Sequence, residues 1–167
     1  LYESPFTDGQ AFEMYVRNLA DIFGNVQTGQ PISMRYVKVG DAGYGDVVIN
    51  EILYRRADEL APEFVELFNR SDLNYDLSGW NMADAGNSTT RIPVGTILKA
   101  GEYLVLTDRE AFAENLANVI YLPDFPNLND SGDGLILKNT SSFTIDSLFY
   151  RSAWGGDAPG VSLERKD

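Results

Sequence analysis

Two apolar runs, each with one carboxylate inside it, restrict the folds open to this chain. Ile49-Asn50-Glu51-Ile52 is followed fifteen residues later by Phe64-Val65-Glu66-Leu67-Phe68-Asn69. Both read as β-strands, because short runs of β-branched and aromatic residues fit a pleated, half-buried surface. Residues two apart in a strand share a face. Glu51 then falls in line with Ile49 and Leu53, and Glu66 with Phe64 and Phe68. Near the end of the chain Arg165 shares parity with Val161 and Leu163. Three charged residues therefore stand among apolar ones.

The remaining strands come in quick succession. They are predicted at 47–53, 63–69, 79–83, 90–92, 102–107, 119–122, 134–138, 143–150 and 161–165. Turn clusters separate most of them, at Asp58–Pro62, Ser71–Tyr75, Ala85–Ser88, Lys99–Gly101 and Asn129–Gly134. Such spacing argues an all-β sandwich over a parallel α/β sheet. Fifteen Gly, seven Pro and 12% aromatic residues fit that class. One short helix is expected near 108–116, opened by a capping box, Thr107-Asp-Arg-Glu110. Its apolar face would be Phe112, Ala113 and Leu116. Core candidates are Val47, Ile49, Leu53, Val65, Leu67, Leu77, Trp80, Leu104, Leu106, Leu135, Leu137, Leu148 and Leu163.

Residues 1–45 read as a separate unit. Ala11 to Leu19 alternates, with Phe12, Met14 and Val16 on one face, and Ser33 to Val39 alternates again. Gly40-Asp-Ala-Gly-Tyr-Gly45 is predicted as a linker to a second unit over 46–167.

Charge and composition exclude several function classes. Thirteen Lys and Arg against 25 Asp and Glu give a formal charge of −12. Nucleic-acid backbones and anionic lipid surfaces repel such a chain unless it has a local basic patch. Arg55-Arg56 and Arg165-Lys166 are isolated pairs, so no nucleic acid is expected. No apolar run approaches the ~18 residues that would suggest membrane insertion. Without Cys or His there is no disulfide, thiolate nucleophile, Ser-His-Asp triad or His-ligated zinc. No phosphate loop is present, and neither a cofactor nor a resident metal is expected.

The strand motifs resemble, in order, those of a lamin-tail domain, an immunoglobulin-like β-sandwich. The resemblance runs from Asp46 to Lys166. It rests on Val47–Ile52, Glu63–Asn69, Asp76-Leu77-Ser78-Gly79-Trp80, Ile92–Thr96, Gly101–Thr107, Leu128–Asp133 and Ser162-Leu163-Glu164-Arg165. Bacterial versions of this family occur as accessory modules of secreted or surface proteins, which implies an extracellular or cell-surface setting. Nuclear lamins use the domain for protein contacts and carry a coiled-coil rod before it, whereas this chain has no heptads. The aromatic strand, Asn18-Leu19-Ala20-Asp21 and then Gly24-Asn25 resemble the C-terminal end of bacterial immunoglobulin-like repeat domains. Residues 1–45 are thus expected to be the remnant of a preceding domain in a longer protein, whose strands need a new partner. A strand-exchanged dimer is one outcome.

The candidate sites follow. Glu51 and Glu66 have three readings: a hydrolytic carboxylate pair about 5–9 Å apart, a structural ion network with Arg165, or two solvated glutamates on an open sheet face. The network is the main expectation, with Glu51 or Glu66 touching Arg165. The Asn127–Gly134 turn has the oxygen ligands a calcium ion wants but not an EF-hand's spacing. Trp80, Trp154, Tyr75, Tyr121, Tyr150 and Phe149 could supply a sugar-stacking platform, with Trp154, in Ser152–Gly156, the best-placed candidate ligand-binding residue. The leading expectation for function is a non-catalytic accessory module that contacts a protein partner or positions a neighbouring domain. The alternatives are a carbohydrate- or calcium-binding module and a carboxylate-dependent hydrolase.

Overall fold

A computed structural model describes residues 6–27, 29, 31–86, 88–114, 116–155 and 158–166. Contacts divide the chain into two units, Leu1–Val39 and Gly40–Asp167.

The first unit consists of two small antiparallel ribbons. β1 (Ala11–Tyr15) pairs with β4 (Pro31–Arg35), and between them β2 (Leu19–Ala20) pairs with β3 (Val26–Gln27). Phe12 lies opposite Met34 and Met14 opposite Ile32, so one face of the larger ribbon is apolar. Phe6 stacks on Phe12 at 5.2 Å. No described residue of this unit is buried.

The second unit is an immunoglobulin-like β-sandwich. Its strands are β5 (Val47–Leu53), β6 (Phe64–Asn69), β7 (Tyr75–Asp76), β8 (Asn81–Asp84), β9 (Thr89–Arg91), β10 (Ile97–Leu98) and β11 (Tyr103–Thr107). After helix α1 (Glu110–Ala113) come β12 (Val119–Tyr121), β13 (Gly132–Lys138), β14 (Thr144–Arg151) and β15 (Leu163–Glu164). One sheet runs β12-β11-β6-β5-β15 and the other β14-β13-β8-β9, while β7 and β10 form a short separate pair. Val65, Leu67, Leu104 and Leu106 meet Met82, Leu135, Leu137 and Ile145 in one continuous core. Clean alternation in β6 and β13 leaves every second residue buried, as expected of sheets with one face on the core.

β11 and β12 are parallel, pairing Val105 with Val119 and Thr107 with Tyr121. Parallel neighbours need a crossover, and the segment carrying α1 provides it. The helix is a single turn capped at Arg109, not at Thr107. Thr107 is buried at the end of β11, where its hydroxyl donates to the Glu63 carbonyl and accepts from the Arg109 N–H. The expected capping box therefore does not form, because its hydroxyl belongs to the sheet. Phe112 stacks on Phe64 of β6 with ring centres 6.5 Å apart, and Leu116 is exposed.

The core holds three tyrosines that composition alone placed on the surface or left out. Tyr54, Tyr75 and Tyr150 are fully buried, and Tyr54 stacks on Tyr150 at 4.9 Å. For Tyr75 and Tyr150, burial works because the polar tip finds a partner. The Tyr150 hydroxyl donates to the Asn129 carbonyl and that of Tyr75 to Asp46. Burial and the nearby Asp133 carboxylate hold the Tyr150 phenol firmly protonated. Leu148 and Leu163, expected as core, are only partly buried, because both line an open side of the sandwich. The glycine-rich stretch 40–45 sits with the sandwich: Gly40 N–H bonds Asn74, Gly45 N–H bonds Ile145 and Ala42 packs on the core.

Gly132 opens β13 at φ +135, and a Cβ there would lie 2.6 Å from the Tyr150 carbonyl oxygen. Both the backbone angle and the contact exclude larger residues. Gly132→Ala is expected to lower unfolding free energy by about 1–3 kcal/mol, measured by urea denaturation. An unchanged midpoint would show that the β13–β14 start can shift to admit a methyl group.

Candidate functional site

The geometry begins with an irregularity in β5. Ile49 lies opposite Leu67, yet Glu51 lies opposite Glu66 and Ile52 opposite Val65, so Asn50 is an extra residue in the ladder. This bulge reverses the parity of the strand. Ile49 and Ile52 both face the core, and Glu51 is turned to the outer face of the five-stranded sheet. β15 then places Glu164 opposite Glu51. Three carboxylates consequently stand in a row across adjacent strands: Glu66, Glu51 and Glu164.

Neighbouring groups relieve part of the repulsion. Glu51 accepts the Ser162 hydroxyl and Glu66 accepts the Asn50 amide at 2.9 Å. Partial burial, with the charges of Glu51 and Glu164, still holds the Glu66 carboxyl above its ordinary range.

Arg165 lies on the other face. Along β15, Leu163 faces inward, Glu164 outward and Arg165 inward again, so the guanidinium cannot join the row. Its ion pair is with Asp146 of β14, at 2.6 Å, and its Nε donates to the Ile49 carbonyl at 2.9 Å. Asp146 is buried and also accepts the Ile49 N–H at 2.8 Å. The Arg165 N–H donates to Asn50 at 2.7 Å. The network expected around Glu51, Glu66 and Arg165 is thus two structures: an acidic row outside, and an Arg165–Asp146 clasp inside. Sequence reasoning missed Asp146, although it shares parity with Leu148 and Tyr150, and that alignment was a usable signal.

Beside the clasp is a groove of about 290 Å³ between β14 and β15, the edges of the two sheets. Ile49, Ile52, Leu148, Tyr150 and Leu163 give it apolar walls. Trp154 stands beside it in a 3₁₀ turn, Ser152–Trp154, and is 64% exposed. Gly156 and Asp157, next along that loop, lie outside the described residues. Of the other aromatics proposed for sugar stacking, Trp80, Tyr75 and Tyr150 are buried in the core and cannot present a face. Neither Glu51 nor Glu66 lines this groove.

The Asn127–Gly134 turn uses its oxygens internally. Asp133 is buried and accepts from the Ala85 and Gly134 N–H groups and the Asn129 amide. Asp130 faces Arg55 at 4.0 Å. The turn is braced by its own carboxylate.

This sandwich agrees with the comparison of the sequence against family models: that of the Lamin Tail Domain matches residues 41–152, which hold β5 to β14. The chain belongs to the lamin tail domain family. This is a non-enzymatic immunoglobulin-like family, and such a domain suggests protein–protein interaction. No curated protein matches the chain. In this lamin tail domain, among the described residues, no helix is long and apolar enough to cross a membrane.

Two measurements check the site. Asp146→Ala leaves a guanidinium and the Ile49 N–H without their acceptor, and should cost about 3 kcal/mol. Combined with Arg165→Met, the loss should fall short of the sum of the single losses by about 1–3 kcal/mol; strict additivity would show that the two side chains act separately. Because the Glu66 carboxyl binds its proton more tightly folded than unfolded, its ionisation opposes folding as pH rises through the folded value. Glu66→Gln should therefore stabilise the domain at pH 7 by roughly 0.2–1 kcal/mol. That gain should vanish below the ordinary carboxylate range, in melts taken across pH.

Proposed function

We propose that this chain is a non-catalytic accessory module of a larger secreted or surface-displayed bacterial protein, where it contacts a protein partner or positions a neighbouring domain. The observation that carries this reading is the state of the first unit. Its two ribbons bury nothing among the described residues, and they hold out Tyr15, Leu19, Ile22, Phe23 and Val26 to solvent. A two-stranded ribbon is marginal at best in water; stability needs more strands or a packed face. The apolar face formed by Phe12, Met14, Ile32 and Met34 is half of an interface. The other half is read as the remainder of a preceding immunoglobulin-like repeat, in keeping with the Asn18–Asp21 and Gly24-Asn25 pattern.

The outer-face glutamates support the same reading. They stand on an open sheet with Ser162 and Asn50 as hydrogen-bond partners, outside the groove, so the arrangement offers no enclosed place for a substrate between two carboxylates. The bacterial, extracytoplasmic setting follows the family resemblance and the repeat-like N-terminal pattern.

Amide hydrogen exchange tests the proposal. In this chain alone, β1 and β4 should exchange far faster than β6 and β13, since local opening is easy where few apolar contacts hold. In the longer parent polypeptide the same amides should be protected at least tenfold more. Equal exchange in both would show that the ribbons have no partner there and would defeat the reading. A strand-exchanged dimer would appear as doubled mass in light scattering, with protection already present in the isolated chain.

A further inference from the structure

We propose that the groove between β14 and β15 receives an extended segment of a partner protein, added as a fifth strand to the sheet β14-β13-β8-β9. This site lies within the sandwich and does not depend on the role assigned to residues 6–39.

The backbone argument comes first. β14 has eight residues, the most of any strand here, and it is an edge. Long regular edges present a row of backbone donors and acceptors, and proteins blunt them with bulges, prolines or lysines. Only the first half of β14 is blunted. There the ladder is irregular opposite Leu137 and Lys138, the Ile145 carbonyl accepts the Gly45 N–H, and Asp146 is held by Ile49 and Arg165. From Ser147 to Arg151 the register with β13 is unbroken and contains neither Pro nor Lys. β13 is the sole strand neighbour of this half among the described residues, and the groove lies along its other side.

The walls then define the occupant. Leu148 and Tyr150 face the groove from one side and Leu163 from the other, with Trp154 at the rim. A space of about 290 Å³ falls at the lower limit of small-molecule pockets, roughly 300–1,000 Å³. It is partly open to solvent and suits anchoring side chains of a strand better than an enclosed ligand. Strand addition works in this way: main-chain bonds give affinity, and alternate side chains enter pockets. On the opposite face of β14, Phe149 and Arg151 are exposed, with the guanidinium 5.7 Å from the ring centre. Lys166 and Glu164 both line the groove, and Arg165 is paired with Asp146, so the groove's own charges balance. Arg151, exposed on the outer side of the strand, is the cation that an added strand would meet there. The segment that fits is extended, with two apolar residues entering the groove and an acidic residue between them beside Arg151.

The test selects short random linear peptides, displayed on phage, against the full chain. Expected are enriched apolar–acidic–apolar sequences. A synthetic copy of the best one should shift backbone amide NMR signals within 147–151 and 163–166. Methylating its alternate backbone nitrogens, with every side chain kept, should weaken binding roughly tenfold or more, and Trp154→Ala should do the same. Arg151→Glu, on the solvent side of the strand, should weaken it while leaving the melting temperature unchanged. The proposal fails if no sequence is enriched, if N-methylation makes no difference, or if the shifts fall on β9 or β12. It also fails if sedimentation shows a concentration-dependent dimer that Trp154→Ala dissolves, because the edge would then belong to a second copy of the chain.

Discussion

Everything in the sandwich turns on the extra residue at Asn50. Without it, Glu51 would share the face of Ile49 and enter the core, where an unpaired carboxylate is very costly. With it, Ile49 and Ile52 both face inward. The Ile49 N–H and C=O are then the groups that Asp146 and Arg165 grip. One bulge thus fixes the register of β5 and gives the clasp its attachment point. That clasp joins β14 of one sheet to the segment after β15 of the other. The hydrophobic core holds the sheets face to face, and the clasp ties their edges at one side.

The two faces of the five-stranded sheet are electrostatically opposite in design. Inside, one cation and one anion are satisfied by each other and by backbone. Outside, Glu66, Glu51 and Glu164 are opposed across strands, an arrangement that like charges make unfavourable. The sandwich tolerates this because the row is only partly buried and has hydroxyl and amide donors.

Much of the fold was legible in the sequence. Alternation in β6, β11 and β13 located strands and inward residues, since period-2 patterning reflects one buried face. The pair β7–β10 was missed because two residues apiece carry no periodic signal. The capping box failed because a buried β-strand terminus claimed the Thr107 hydroxyl first. At the candidate site the expected contact of Glu51 or Glu66 with Arg165 is replaced by the Arg165–Asp146 pair. Arg165 and Trp154 line the open side of the sandwich, whereas Glu51 and Glu66 stand on the outer face of the five-stranded sheet. Parity counted through Ile49 and Glu51 could not foresee a bulge, so the glutamates were assigned to the arginine's face. Tyrosine was read as a surface ring when its hydroxyl had a partner waiting indoors.

The clasp also dictates when the molecule can become itself. β15 pairs with β5, and Arg165 bonds Ile49, more than a hundred positions earlier. Contacts so distant along the chain are slow to find, because loop closure must precede any reward. On a ribosome, β5 through β14 would emerge with their edge unsealed until β15 and Arg165 had followed. Emergence of residues 163–165 from the exit tunnel, and not the formation of the core, sets the moment at which this sandwich locks.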